Sequence, residues 1–281
     1  MTRSFEWQEE QMAERLLIGK AYERAQREIE RDSVDPEEFR DLYGDTGVDE
    51  DLAYVTRMEE VFASGASHET QETHKVATVF EAIFHDQAEL SEWLGPDAMT
   101  IKTSRYDDIK NGIDTVVETR HDDRTASHLG IAIDVALGPD LDKKFQRIKS
   151  EIERGELGQV KYFKSEHMHI RGEFRRIPRV VIGASGKVVH ELAELWLEKK
   201  NQDLAEHPIQ FQILEEMELQ FVAFQAFARK AGQDGIAGLY RQALEDVRAV
   251  LVMKKEQGIR DSGDRDEVFS SIGSWMKNFK N

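Results

Sequence analysis

The sequence predicts an α/β protein: a mixed β-sheet flanked by helices, with further helical segments at both ends of the chain. Three observations carry this. Strand-period alternation of apolar and polar residues fills much of Tyr106–Ala136, an apolar run of strand length lies at Pro178–Gly183, and amphipathic helical stretches stand before, between and after them. At 281 residues the chain can bury a sizeable core, as one larger domain or as one domain with appendages. We divide it into a helical N-terminal extension (1–70), a core (71–205) and a C-terminal helical segment packing on that core (206–281).

Residues 5–31 have a ragged apolar stripe of Trp7, Met12, Leu16, Leu17, Ala21, Tyr22 and Ile29 among many charges, which suits a helix. Asp35-Pro36-Glu37-Glu38 reads as a helix start, with an N-cap, a first-position proline and acids facing the positive helix end. A short helix is expected over Val48–Phe62, and the polar stretch Ser64–Gln71 is the linker candidate. Thr73–Leu94 is a strongly amphipathic helix with Val76, Val79, Phe80, Ile83 and Phe84 on its apolar face. Glu81 stands at the edge of that face; it either snorkels to solvent or has a partner, because burying a lone carboxylate is costly. After Gly95-Pro96, Ala98–Thr103 reads as a strand.

Two acid-bearing strands follow. In the first, Ile113, Thr115 and Val117 alternate with Asp114, Val116 and Glu118. In the second, Leu129, Ile131, Ile133 and Val135 alternate with Gly130, Ala132, Asp134 and Ala136. Antiparallel pairing is expected to bring Asp114 and Asp134 side by side, with Glu118 on the same face. Two carboxylates held close repel, so such a pair needs a cation or a shared proton, unless each aspartate is solvated separately. Oxygen ligands suit Mg²⁺ or a similar hard ion.

Pro139–Arg154 is a helix with Leu141, Phe145, Ile148 and Ile152 buried and Lys144 on the same side. Val160–Phe163 is a short strand or a loop, Pro178–Gly183 a buried strand, and Val188–Lys199 the helix behind it. Ile209–Ala231 and Ile236–Lys255 are helical. The phenylalanines of the first make it core or a surface for homo-oligomerisation, and Trp275 and Phe279 are expected to dock the tail.

The formal charge of −17 argues against a nucleic-acid partner at first sight. Its distribution reverses that reading. Residues 1–100 hold 9 basic and 25 acidic side chains, whereas residues 143–187 hold 12 basic and 5 acidic. An anionic polymer is expected beside the second segment. The absence of cysteine excludes disulfides and thiolate metal sites. No apolar run is long enough to span a bilayer and the start lacks a signal peptide's apolar segment, so no membrane partner is expected and the cytoplasm is the default location.

Helix, three strands, helix and strand, with Asp114 on the second strand and Asp134 on the third, resembles the core of the PD-(D/E)XK nuclease-like superfamily over roughly residues 73–200. The resemblance implies a restriction-endonuclease-like core: a helix, a three-stranded mostly antiparallel meander, a helix and a strand. It also implies a metal-dependent endo- or exonuclease that hydrolyses phosphodiester bonds of DNA or RNA. Under it, Asp114, Asp134, Glu81 and the main-chain carbonyl of Val135 would bind Mg²⁺, or Mn²⁺ in its place, which activates the attacking water. The superfamily's lysine should follow Asp134 by two residues, where this chain has Ala136. Lys144 is the substitute by its position on the following helix, with Lys143 and Lys149 as alternatives. Should none reach, the chain would be an inactive binding or scaffold module on the same fold. Lys143, Lys149, Arg175, Arg176 and Lys187 are the expected phosphate contacts.

Two other motifs have simpler readings. Gly183-Ala184-Ser185-Gly186-Lys187 lacks the spacing of a P-loop and reads as a tight strand-to-helix turn, whose N–H groups and Lys187 are suited to a backbone phosphate. His167-Met168-His169 has no third ligand nearby in sequence for zinc.

Overall fold

The computed structural model describes residues 2–121, 125–134, 139–165, 168 and 170–280. In chain order the elements are α1 (Thr2–Asp32), a 3-10 turn (Pro36–Phe39), α2 (Arg40–Gly65), α3 (His68–Leu90), β1 (Ala98–Lys102), α4 (Arg105–Asn111), β2 (Thr115–Arg120), β3 (Ala126–Asp134) and α5 (Pro139–Arg154). Then come β4 (Gly158–Lys164), β5 (Arg171–Ile177), β6 (Arg179–Gly183), α6 (Gly186–Leu197), α7 (Asn201–Ala205), α8 (Ile209–Lys230), α9 (Asp234–Glu256) and α10 (Glu267–Lys280). The class is mixed α/β, as expected. Among the described residues no helix is long and apolar enough to cross a membrane.

β1, β2 and β3 form an antiparallel meander, and β6 joins parallel to β3, giving the order β1-β2-β3-β6. A parallel pair needs a long crossover. Here it consists of α5 and the antiparallel hairpin β4–β5. The sequence showed at most the first strand of that hairpin. β5 reads RGEFRRI, too charged to look like a strand, and its pairing to β4 makes it one. The hairpin covers one sheet face, where Ile101, Ile113, Val116, Val160, Phe163 and Ile177 form an apolar cluster. Val117 and Ile131 alternate to the other face and join the main core with α3, α6, α8 and α9.

At the N-terminal side, Ile18, Ala21 and Ala25 of α1 are buried in the main core. One expectation there needs correction. The expected linker Ser64–Gln71 is largely helical: α2 runs to Gly65, and Ser67 caps α3 by accepting the Thr70 N–H at 3.2 Å. The expected helix start at Asp35 is present, its carboxylate accepting the Glu37 N–H at 2.9 Å. At the other end, Phe211, Phe221 and Phe224 of α8 are fully buried, so the phenylalanines considered for self-association are internal core. Phe279 is buried, and Trp275 stacks on Phe145 while donating to Asp142 at 2.6 Å, which docks α10 on α5.

The outer edge of β6 is closed by side chains of α8. Gln220 accepts the Val181 N–H at 2.9 Å and donates to the Val181 carbonyl at 2.6 Å. Glu216 accepts the Gly183 N–H at 2.9 Å, and Gln212 donates to the Gly183 carbonyl at 3.3 Å. The spacing explains the match. Four helical residues advance about 6 Å and two strand residues about 6.6 Å, so successive turns of α8 meet alternate residues of β6. A strand edge that would otherwise recruit another chain is thereby satisfied internally.

Burial, aided by the charge of Asp266, pushes the Glu216 carboxyl well above its ordinary 4.5, although its hydrogen bonds from Gly183 and Gln212 work the other way. Native Glu216 thus holds a proton that the unfolded chain releases above pH 4.5. Stability from this group is present below 4.5 and declines as pH rises toward the native value. Glu216→Gln should leave stability at pH 4 within about 1 kcal/mol of the parent. Its thermal unfolding curve should then move above the parent's as pH is raised, and parallel curves across that range would refute the assignment.

Candidate active site

Ser104 begins the site. Its hydroxyl accepts the Asp107 N–H at 3.1 Å, capping α4, and Gly112 ends that helix in the left-handed conformation (φ 62°) with its N–H on the Asp108 carbonyl. A side chain at position 112 would carry the strain of that φ and meet Arg147 Nη1 at 2.9 Å. The sharp return places Asp114, just ahead of β2, against Asp108 of the preceding helix. The two carboxyl groups act on each other electrostatically and both line the same cleft. The neighbouring Asp107 points elsewhere, accepting the backbone N–H groups of Lys161 (2.7 Å) and Tyr162 (3.0 Å) and so holding β4.

Lys102, at the end of β1, fixes the other side. It is 3% exposed, and its ammonium contacts Glu81 Oε1 at 2.5 Å and the Asp114 carbonyl at 2.6 Å. Burial disfavours this cation, but Glu81, Asp108 and Asp114 outweigh that and raise its pKa. Asp108 is half-buried, and desolvation works against its charge, yet Lys102, Arg105 and Asp114 hold it below the usual carboxylate range. Asp114 goes the opposite way. Desolvation, then the charges of Asp108 and Glu81, push it well above that range, with Lys144 and Lys102 only partly opposing.

These groups open into a cleft of about 960 Å³ between α1, α2, α3, α4 and α5. Three of the residues expected from sequence line it together: Glu81, Asp114 and Lys144, with Lys143 beside them. The expected contact between Asp114 and Asp134 has no counterpart in the ladder. The Asp114 N–H bonds the Ile131 carbonyl, three residues before Asp134, and Asp134 pairs through its backbone with Gly183 of β6. The side chain of Asp134, and Val135 altogether, lie outside the described residues, as do His167 and His169. Glu118 is not near Asp114; it is buried against His128 Nε2 at 2.7 Å on the hairpin side of the sheet.

The remaining expected cations are scattered. Lys149 Nζ lies 5.5 Å from the Phe227 ring centre, Arg175 pairs with Glu173 at 2.9 Å, Arg176 borders a second cavity on the far side, and Lys187 is exposed on α6. The turn before α6 is already filled: Ser185 caps the helix, and its N–H donates to Asp266 at 2.5 Å. Nor does the basic segment form an open face. Lys161 pairs with Asp51, Lys164 with Glu38 and Arg171 with Asp41, all acids of the N-terminal helical region.

Sequence reasoning missed Lys102, Arg105 and Arg147, and it took Asp107-Asp108 as capping the turn into the strand rather than as ligands; Lys102, Arg105, Asp108 and Arg147 all line the cleft. Two signals were present. Ser104-Arg105-Tyr106-Asp107 has the [ST]-x-x-[DE] pattern of a helix start, and Lys102 falls at an inward position of an otherwise apolar strand. Compared with protein-family models, curated proteins and solved structures, the chain matches none.

Lys102→Met should cost about 3–5 kcal/mol in urea unfolding, because it leaves Glu81 beside two other acids without its cation. Adding Glu81→Gln should recover about 1–3 kcal/mol of that loss. Strictly additive losses would show that the pair is not coupled.

Proposed function

We propose that this chain is a metal-dependent hydrolase of phosphodiester bonds in nucleic acid. The observation that carries the reading is that Asp108 and Asp114 line one cleft together with Lys102 and Lys144, close enough for their charges to act on one another. The element order supports it: α3, the β1–β2–β3 meander, α5, and β6 parallel to β3 follow the order that the resemblance implied for residues 73–200.

The donor set fits a hard divalent cation. Asp108 and Asp114 offer carboxylate oxygens from adjoining segments of the cleft floor. Among the described residues no group of three acids or histidines is arranged around one point; Glu81 is paired with Lys102, and Asp108 with Arg105. The ligand pair of this reading is Asp108 with Asp114. A bound Mg²⁺ or Mn²⁺ would supply an activated water and take up charge on the phosphate. Asp108 and Asp114 would hold that ion. Lys102, locked by Glu81 and the Asp114 carbonyl, keeps β1 and β2 aligned beneath the pair. Lys144, whose charge already acts on Asp114, orients a phosphate oxygen from the α5 side.

One observation favours a second reading. Lys102 already compensates the acids, so the cleft can hold an anion without catalysing its hydrolysis. The two readings separate on one set of measurements with single- and double-stranded DNA and RNA. Cleavage should require Mg²⁺ or Mn²⁺, stop with EDTA, and fall by at least about 100-fold in Asp108→Asn and Asp114→Asn and about 10–1,000-fold in Lys144→Ala. Calorimetry should show Mn²⁺ binding that Asp114→Asn weakens. Cleavage undiminished in Asp114→Asn would end the proposal, and Mn²⁺ binding without turnover would establish the second reading.

A further inference from the structure

We infer, resting on the reading above, that the cleft takes a short single-stranded segment or a free strand end of nucleic acid, and not a through-running duplex. Size is the first ground. About 960 Å³ lies at the upper end of small-ligand sites, and the space is walled by Tyr22 and Ile29 of α1 and by Val55 of α2. Those walls are fixed. α1 is anchored by Ala21 and Ala25 in the core and by the Arg24 guanidinium 3.7 Å from the Trp196 ring centre. α2 is anchored through Asp51, which accepts from Lys161 at 2.5 Å and from the Tyr162 hydroxyl at 2.6 Å.

Charge is the second ground. The cations that line the cleft lie on the side of β1, α4, α5 and β6, whereas the opposite wall contributes exposed Glu30 of α1, Glu59 of α2 being paired with Arg105 at 2.9 Å. A phosphate on the floor meets Lys144 and Arg147. One that continues past the rim meets Glu30. Beyond the cleft a long backbone finds little to follow, because Lys161, Lys164 and Arg171 are engaged by Asp51, Glu38 and Asp41. Polyanion affinity grows with the number of phosphates neutralised, so binding here should saturate at a few nucleotides. Tyr22 on the α1 wall offers a ring for an unstacked base, which a duplex does not present.

Fluorescence anisotropy on the full chain in Ca²⁺ buffer, with a labelled thymidine trinucleotide, a thirty-nucleotide thymidine strand and a thirty-base-pair duplex, tests this directly. The two single strands should bind within about threefold of each other, with a shallow salt slope of about −2 to −3, and the duplex at least about tenfold more weakly. Glu30→Lys, an exposed change, should raise affinity for the long strand about tenfold and leave the trinucleotide unchanged. In Mn²⁺, linear single strands should be degraded while closed circular duplex stays intact. Affinity that climbs steadily with length, or nicking of the closed circle, would overturn the inference while leaving metal-dependent hydrolysis standing. No cleavage of any substrate would overturn the hydrolase reading instead, and the anisotropy series would still decide this one.

Discussion

A buried ammonium holds the centre of this molecule together. Lys102 is the last residue of β1, and its Nζ joins Glu81 on α3 to the main chain at Asp114, where β2 begins. An unpaired cation at 3% exposure would be expelled or neutralised, so α3, β1, α4 and β2 must stand where their acids can reach it. The opposite shifts of Asp108 and Asp114 follow from this. Lys102 and Arg105 favour the charged form of Asp108, whereas desolvation and the charges of Asp108 and Glu81 disfavour that of Asp114. The order in the cleft floor is thus set by charge balance at a poorly solvated site.

The same balance operates on a larger scale. The acidic N-terminal region and the basic middle of the chain look like separate features in a list of residues. In the fold they face each other. Glu38, Asp41, Asp51 and Glu59 meet Lys164, Arg171, Lys161 and Arg105, reinforced by an aromatic cluster of Phe39, Tyr43, Tyr106 and Tyr162. Exposed ion pairs contribute little individually. Their shared effect is to tie the N-terminal helical region to the basic middle of the chain.

At the far side of the sheet, α8 replaces a fifth strand. Gln212, Glu216 and Gln220 answer the backbone of β6 at every other residue, so the helix is placed along the strand by hydrogen bonds as well as by apolar packing. This rigid backing holds β6, and through it β3 and α5, at the height from which Lys144 looks into the cleft.

Much of the architecture is written in local pattern. The period of apolar residues identified α3, α5, α8 and α9, strand-period alternation identified β3, an apolar run identified β6, and a helix–meander–helix–strand order placed Glu81, Asp114 and Lys144 in one region. Those are properties of neighbouring residues, and a chain carries them before it folds. β5 was hidden because its stability comes from pairing with β4 and not from its own charged residues. Asp108 was taken with Asp107 as a turn cap because α4 is only seven residues long, too short for a period to appear. Which carboxyl meets Asp114 depended on the turn at Gly112 and on strand register, and which lysine lies beneath it depended on burial against α3. Contacts between residues distant in the chain are chosen by packing and by the charge balance it enforces, and no local pattern carries that choice.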